Sequence, residues 1–215
     1  MNNKRNYQKE LERILPKLEG RPTLLLHSCC APCSSYVLEY LVKYFKITLF
    51  YYNPNIAPES EYRYRVSELK RLVAEMLPDS DVTVVEGTYD PERFAQAVRG
   101  LEKEPEGGKR CMVCYRMRME EAAKAAQGLG CEYFTTTLTI SPMKNATALN
   151  EMMEELGPIY SVKYLPSDFK KKEGYKRSIV LSGEYDLYRQ DYCGCIYSKM
   201  EREAQKKAAE QERED

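Results

Sequence analysis

Seven of the eight cysteines fall into three tight groups, namely Cys29, Cys30 and Cys33, then Cys111 and Cys114, then Cys193 and Cys195; Cys131 stands apart and reads as a structural thiol. Burial of small apolar side chains alone would scatter them, so the grouping points to metal ligation or thiol redox chemistry. In Cys111-Met112-Val113-Cys114 a tight turn would bring both sulfurs to one metal. The pair reads as half a zinc site, half a cluster site or a redox couple. In Cys193-Gly194-Cys195 residues i and i+2 of an extended chain project to one side, and the glycine lets the backbone tighten until the sulfurs bond. A disulfide closed across one residue is strained and easily reduced, which suits an exchangeable two-electron pair; ligation of a metal by both sulfurs is the rival reading.

These groups need elements to hold them. Leu24-Leu25-Leu26 is an apolar run of strand length, and after the first thiol loop Val37, Leu38, Leu41, Val42 and Phe45 recur at helical spacing. This is a strand, a loop and a helix, with Ser34 or Ser35 as candidate caps and Pro32 limiting the loop. In an open α/β sheet such a loop lies at the carboxyl edge, facing the positive end of the next helix, where a thiolate is favoured. Residues 47–52 predict a second strand. The loop 53–58, with two prolines and two asparagines, should wall the site. A helix over 59–77, a short strand at 82–85 and a helix over about 92–99 continue the alternation that marks a parallel sheet with right-handed crossovers. A charged loop at 102–110 delivers Cys111 and Cys114, and the helix after them, about 115–127, carries Arg116 and Arg118, whose charge favours anionic ligands. Residues 133–138 read as a fourth strand. Ser141 and Lys144 at its end suit an anionic or sugar-like ligand, or else cap a helix over 144–156.

Around this core, residues 4–18 predict an amphipathic helix with Tyr7, Leu11, Ile14 and Leu15 on one face. The domain reading is an N-terminal helix at 1–20, an α/β catalytic domain at 21–197 and a charged C-terminal helix or tail at 198–215. Lys plus Arg equals Asp plus Glu at 33 each, so net charge gives no vote for nucleic acid. The one clearly basic stretch, Lys163 to Arg177, could contact phosphates, or is a solvated loop. Tyrosines beside arginines, as in Tyr62-Arg63-Tyr64-Arg65 and Tyr188-Arg189, could stack bases or simply cover half-buried faces. No run approaches a membrane span and the start offers no secretion signal, so a cytoplasmic location is expected, where reducing conditions argue against a disulfide scaffold.

Four motifs in order carry a family resemblance. His27-Ser28-Cys29-Cys30-Ala31-Pro32-Cys33, then Glu104 to Cys114 with its Glu104-Pro105-Glu106-Gly107-Gly108-Lys109-Arg110 lead, then Thr136-Thr137-Leu138 with Ser141-Pro142, then Tyr188 to Cys195 together resemble the cobalamin-independent epoxyqueuosine reductases, over residues from about 22 to 200. The resemblance implies an adenine nucleotide α-hydrolase-like (PP-loop/HUP-like) three-layer α/β fold with a parallel sheet and a C-terminal helical extension. It also implies a 4Fe-4S cluster and the last step of queuosine biosynthesis, in which the epoxide of epoxyqueuosine at the wobble position of tRNA is reduced to the alkene. PP-loops are glycine-rich and hold pyrophosphate; bulky metal-binding residues fill this loop, so no ATP is expected.

On that resemblance Cys29, Cys30, Cys111 and Cys114 are assigned to the cluster, with Cys33 as a substitute or as ligand of a second metal. The reaction takes two electrons and two protons, and the Cys193 and Cys195 dithiol supplies the electrons as it closes. His27 is either a proton donor or a hydrogen bond holding the loop. Asp191 is an alternative proton donor or an oxygen ligand to a second iron, with Asp90 and Asp168 as weaker candidates. The partners are the tRNA and an unidentified electron donor. Two other classes compete: a PP-loop-like tRNA sulfurtransferase, which would bind a nucleotide, and a non-enzymatic zinc-binding RNA module.

Overall fold

A computed structural model describes residues 5–214. Its five strands, β1 (Thr23–Ser28), β2 (Lys46–Tyr51), β3 (Thr83–Glu86), β4 (Tyr133–Thr136) and β5 (Lys163–Tyr164), run parallel in the order β3-β2-β1-β4-β5. Their residues alternate between two apolar layers. Leu24, Leu26, Ile47, Leu49 and Tyr51 pack against α2 (Ala31–Leu41) and α3 (Glu59–Met76), whereas Leu25, Phe50 and Phe134 pack against α5 (Lys109–Gly128) and α6 (Ala146–Ile159). Both faces being covered explains why β1 reads as a continuous apolar run. Ala122, Ala123 and Ala126 let α5 lie close on the sheet, and all three are fully buried. The expected three-layer α/β arrangement is present.

The chain leaves β1 for α2 on one face and leaves β4 for α6 on the other. Between these adjacent strands the connections diverge, and a crevice opens at their carboxyl ends. The cysteine loop sits there. The remaining helices are α1 (Tyr7–Ile14), α4 (Pro91–Ala97), α7 (Gly174–Glu184) and α8 (Ile196–Glu214). Among the described residues no helix is long and apolar enough to cross a membrane.

Several boundaries differ from the sequence reading. Among the described residues α1 runs only from Tyr7 to Ile14, because Pro16 forces the chain into a 3-10 turn at Leu15–Lys17; the start of the expected helix, Lys4, lies outside the described residues. Ser34 and Ser35 are not caps: Cys30 is the N-cap of α2, and both serine hydroxyls donate back to carbonyls, Ser34 to Cys30 and Ser35 to Pro32. Cys111 and Cys114 lie not in a turn but in the first turns of α5, where i and i+3 share a face. β4 ends at Thr136 in a 3-10 turn over Thr137–Ile140. The cap of α6 is Asn145 rather than Ser141 or Lys144, its side chain accepting from the Ala148 N–H. The two-residue β5 and α7 were not foreseen.

Candidate functional site

The strand ends at Ser28, so the alternation that would have split Cys29 and Cys30 no longer applies. The sulfurs of Cys29, Cys30 and Cys33 all lie within 4.8 Å of one another, with Cys29 and Cys30 3.8 Å apart. Thr137, from the turn after β4, fixes the loop: the Cys29 N–H donates to its hydroxyl at 3.2 Å, and that hydroxyl faces the Cys29 sulfur at 3.4 Å. Hydrogen bonds from the Cys30 and Cys33 thiols hold the Cys29 sulfur well below the usual thiol range, with the Arg118 guanidinium adding to the effect. Cys30 and Cys33, sharing that charge, are pushed up. Three convergent sulfurs without an oxygen donor suit a thiophilic metal or cluster.

His27 is fully buried beside them, and both ring nitrogens are engaged. Nε2 lies 3.0 Å from the Tyr52 carbonyl and 3.4 Å from the Arg118 Nε–H, and Nδ1 lies 2.8 Å from the Thr136 hydroxyl. Burial, and then the nearby Arg118 charge, push the imidazole down to about 3. His27 is therefore neutral, and its contacts join β1, β4 and the end of β2. Arg118 itself is buried, donates to the Asn53 side chain and to His27 Nε2, and its charge is favoured by the Cys114 and Cys29 thiols nearby.

Cys111 and Cys114 project from α5 just after its Gly108 N-cap. The Gly107 N–H donates to the Cys111 sulfur at 3.2 Å. Burial pushes both thiols up, Cys114 to about 11. Cys193 and Cys195 face them from the segment before α8, and the two pairs line one cavity with Asn55, Tyr115, Lys144 and Ser198. The Cys195 thiol lowers Cys193 by hydrogen bonding, with Lys144 helping, while Cys195 is raised.

The turn at Gly194 has φ +99°, and a Cβ there would stand 2.7 Å from Ile56 and 3.1 Å from the Arg65 guanidinium. Only glycine fits. Arg65, buried and paired with Glu61, donates to the Cys193 carbonyl at 3.4 Å, and the Ala57 N–H donates to the Gly194 carbonyl at 3.0 Å. From the other side the Cys193 N–H donates to Ser198, whose hydroxyl donates to Glu106 at 3.3 Å, and Glu106 pairs with Lys144. Burial works against the Lys144 charge, but the Cys193 sulfur, Tyr115 and Glu106 outweigh it and the ammonium is raised.

All seven grouped cysteines thus lie at the carboxyl edge, but in two subsets. Cys33 joins Cys29 and Cys30, whereas Cys111 and Cys114 share their cavity with the dithiol. The aspartates are placed elsewhere: the half-exposed Asp191 carboxylate pairs with Lys206 at 2.5 Å, Asp90 caps α4 and Asp168 pairs with Lys170. Cys131 is buried in the layer between sheet and α5. In the Tyr-Arg run Tyr62 and Arg65 are buried and serve packing, whereas Arg63 and Tyr64 are exposed. In the basic stretch Lys172 pairs with Glu12, and Arg177 with Glu39 and Glu184. Tyr115 and Glu106 were not singled out as site residues; Glu106 stood as one acid of several in the charged loop before Cys111, and Tyr115 as one tyrosine of 18. A wider groove of about 640 Å³ at the amino ends of β4 and β5 contains no thiol.

The chain was compared with known proteins. A family model described as epoxyqueuosine reductase QueH matches residues 24–201. A protein of that name from Staphylococcus epidermidis is 46% identical over 206 residues, covering 93% of this chain and 87% of its own length. One from Streptococcus pyogenes is 45% identical over 202 residues, covering 92% and 79%, and one from Thermotoga maritima is 35% identical over 186 residues, covering 84% and 92%.

Proposed function

Since the chain belongs to the epoxyqueuosine reductase QueH family, a family of oxidoreductases, we propose that it reduces the epoxide of epoxyqueuosine at the wobble position of tRNA to the alkene of queuosine, with a 4Fe-4S cluster and the Cys193 and Cys195 dithiol. Cys29, Cys30, Cys111 and Cys114 hold the cluster, and Cys33, beside Cys29 and Cys30, is free for a second iron. The observation that carries the reading is the cavity in which a two-sulfur pair separated by one glycine faces a CxxC pair, next to three more convergent thiols. When bound, the cluster would supply a one-electron relay to the dithiol.

The chain's own residues supply the rest. Cys193 and Cys195 give two electrons as their S–S bond forms. Gly194, Arg65 and Ser198 fix where that pair stands. His27 orders the loop through its bonds to Thr136 and Tyr52. The reading is tested by anaerobic incubation of purified protein with dithionite and epoxyqueuosine-containing tRNA, followed by mass spectrometry of the nucleosides and assay of iron and acid-labile sulfide. Queuosine with iron and sulfide present supports it. Zinc without sulfide, and no conversion, would favour the zinc-binding RNA module instead.

A further inference from the structure

We propose that Lys144 and the Tyr115 hydroxyl form a two-donor cradle for the epoxide oxygen of the substrate, resting on the function proposed above. Tyr115 is 2% exposed and lines the cavity of Cys111, Cys114, Cys193 and Cys195, and its hydroxyl has no hydrogen-bond partner among the described residues. A buried hydroxyl left unpaired is costly, so one aimed into a reaction cavity is explained by a partner that arrives there. Lys144 lines the same cavity. Its side chain is nine-tenths buried, its ammonium carries three donors, and among the described residues Glu106 is its one ion-pair partner. An epoxide oxygen offers two lone pairs, which one phenolic and one ammonium donor satisfy. As the C–O bonds break, negative charge develops on that oxygen, and fixed donors in a water-poor site stabilise it most.

The Asn55 side-chain oxygen, also buried, unpartnered and on this cavity, accepts and does not donate. It suits a substrate hydroxyl or N–H next to the oxygen. The step balances within the chain. Two C–O bonds break and a C=C bond forms, the Cys193 and Cys195 thiols lose two electrons and two protons as they become a disulfide, and the oxygen leaves as water with both protons. Tyr115 and Lys144 end the step unchanged. Glu106, accepting from Ser198 and paired with Lys144, is a positioning residue.

The test compares wild type with Tyr115→Phe in anaerobic turnover of epoxyqueuosine tRNA, alongside iron and sulfide content, tRNA affinity and thermal unfolding. Removing an unpartnered hydroxyl leaves iron, tRNA affinity and Tm at wild-type values or higher, while kcat falls about a hundredfold and KM moves only a few-fold. Lys144→Met with Glu106→Gln, which strands no buried charge, loses more, and Lys144→Arg recovers part of it. A Tyr115→Phe protein within about threefold of wild-type kcat overturns the cradle. So does a loss that follows iron content or appears only in KM. Failure of the wild type to convert the tRNA overturns the functional reading itself, which separates the two failures.

Discussion

A buried imidazole with both nitrogens occupied is a fastener, and His27 fastens the end of β1 to Thr136 and to the Tyr52 carbonyl. His27→Ala strands these groups and Arg118 in the interior. It should cost roughly 2–4 kcal/mol in urea unfolding. Undiminished stability with lost turnover would return His27 to the role of proton donor. Cys193→Ser removes one sulfur of the dithiol, and conversion should disappear while iron content stays within error of wild type; loss of iron would make Cys193 a ligand. The thiols were legible in the sequence because their grouping is covalent. Lys144 and Glu106 were not legible as a pair, since they stand 38 residues apart and meet only because α5 and the turn after β4 share one edge of the sheet. Tyr115, next to Cys114, looked like one more half-buried tyrosine among 18.

At the scale of elements, the sharpest geometric demand is the turn that presents the dithiol. Gly194→Ala places a methyl against Ile56 and Arg65 at a positive φ. It should cost roughly 1–3 kcal/mol, or shift the turn enough to slow conversion at least as much as it lowers stability. An alanine variant with wild-type Tm and turnover would contradict this account of the loop. The first strand, thiol loop and helix were readable from periodicity, since an apolar strand covered on both faces is followed by a 3.6-residue repeat. The helical setting of Cys111 and Cys114 was not, because a glycine-rich lead and a CxxC fit a turn equally well; in the structure α5 starts at Lys109, and Cys111 joins Tyr115 and Met119 in the layer against the sheet. A strand as short as Lys163–Tyr164 has no period to read.

For the whole molecule, strand order decides where chemistry gathers. The β3-β2-β1-β4-β5 order puts the loops after β1 and β4 on either side of the crevice, and four sequence motifs meet there though they span residues 27–195. The alternating elements announced the parallel sheet, and the charge pattern left the basic stretch open between phosphate contacts and a solvated loop. Part of it is answered by Glu12 and Glu39, acids from distant segments that no local count includes, and by Glu184 at the end of Arg177's own helix. Replacing Lys170, Lys171 and Lys172 together by Gln should therefore change the slope of log affinity for tRNA against log salt by less than about one, since two of the three already sit in ion pairs. A drop in slope of about two or more would place phosphates on that loop. The central claim is that one cavity joins the thiol ligands to a two-electron dithiol, and stoichiometry tests it most directly. Prereduced protein, freed of small reductants under anaerobic conditions, is mixed with excess epoxyqueuosine tRNA, and queuosine and remaining thiols are counted. The account predicts about one queuosine per chain with two thiols lost, both mapping to Cys193 and Cys195. Queuosine formed with that pair still reduced would contradict it.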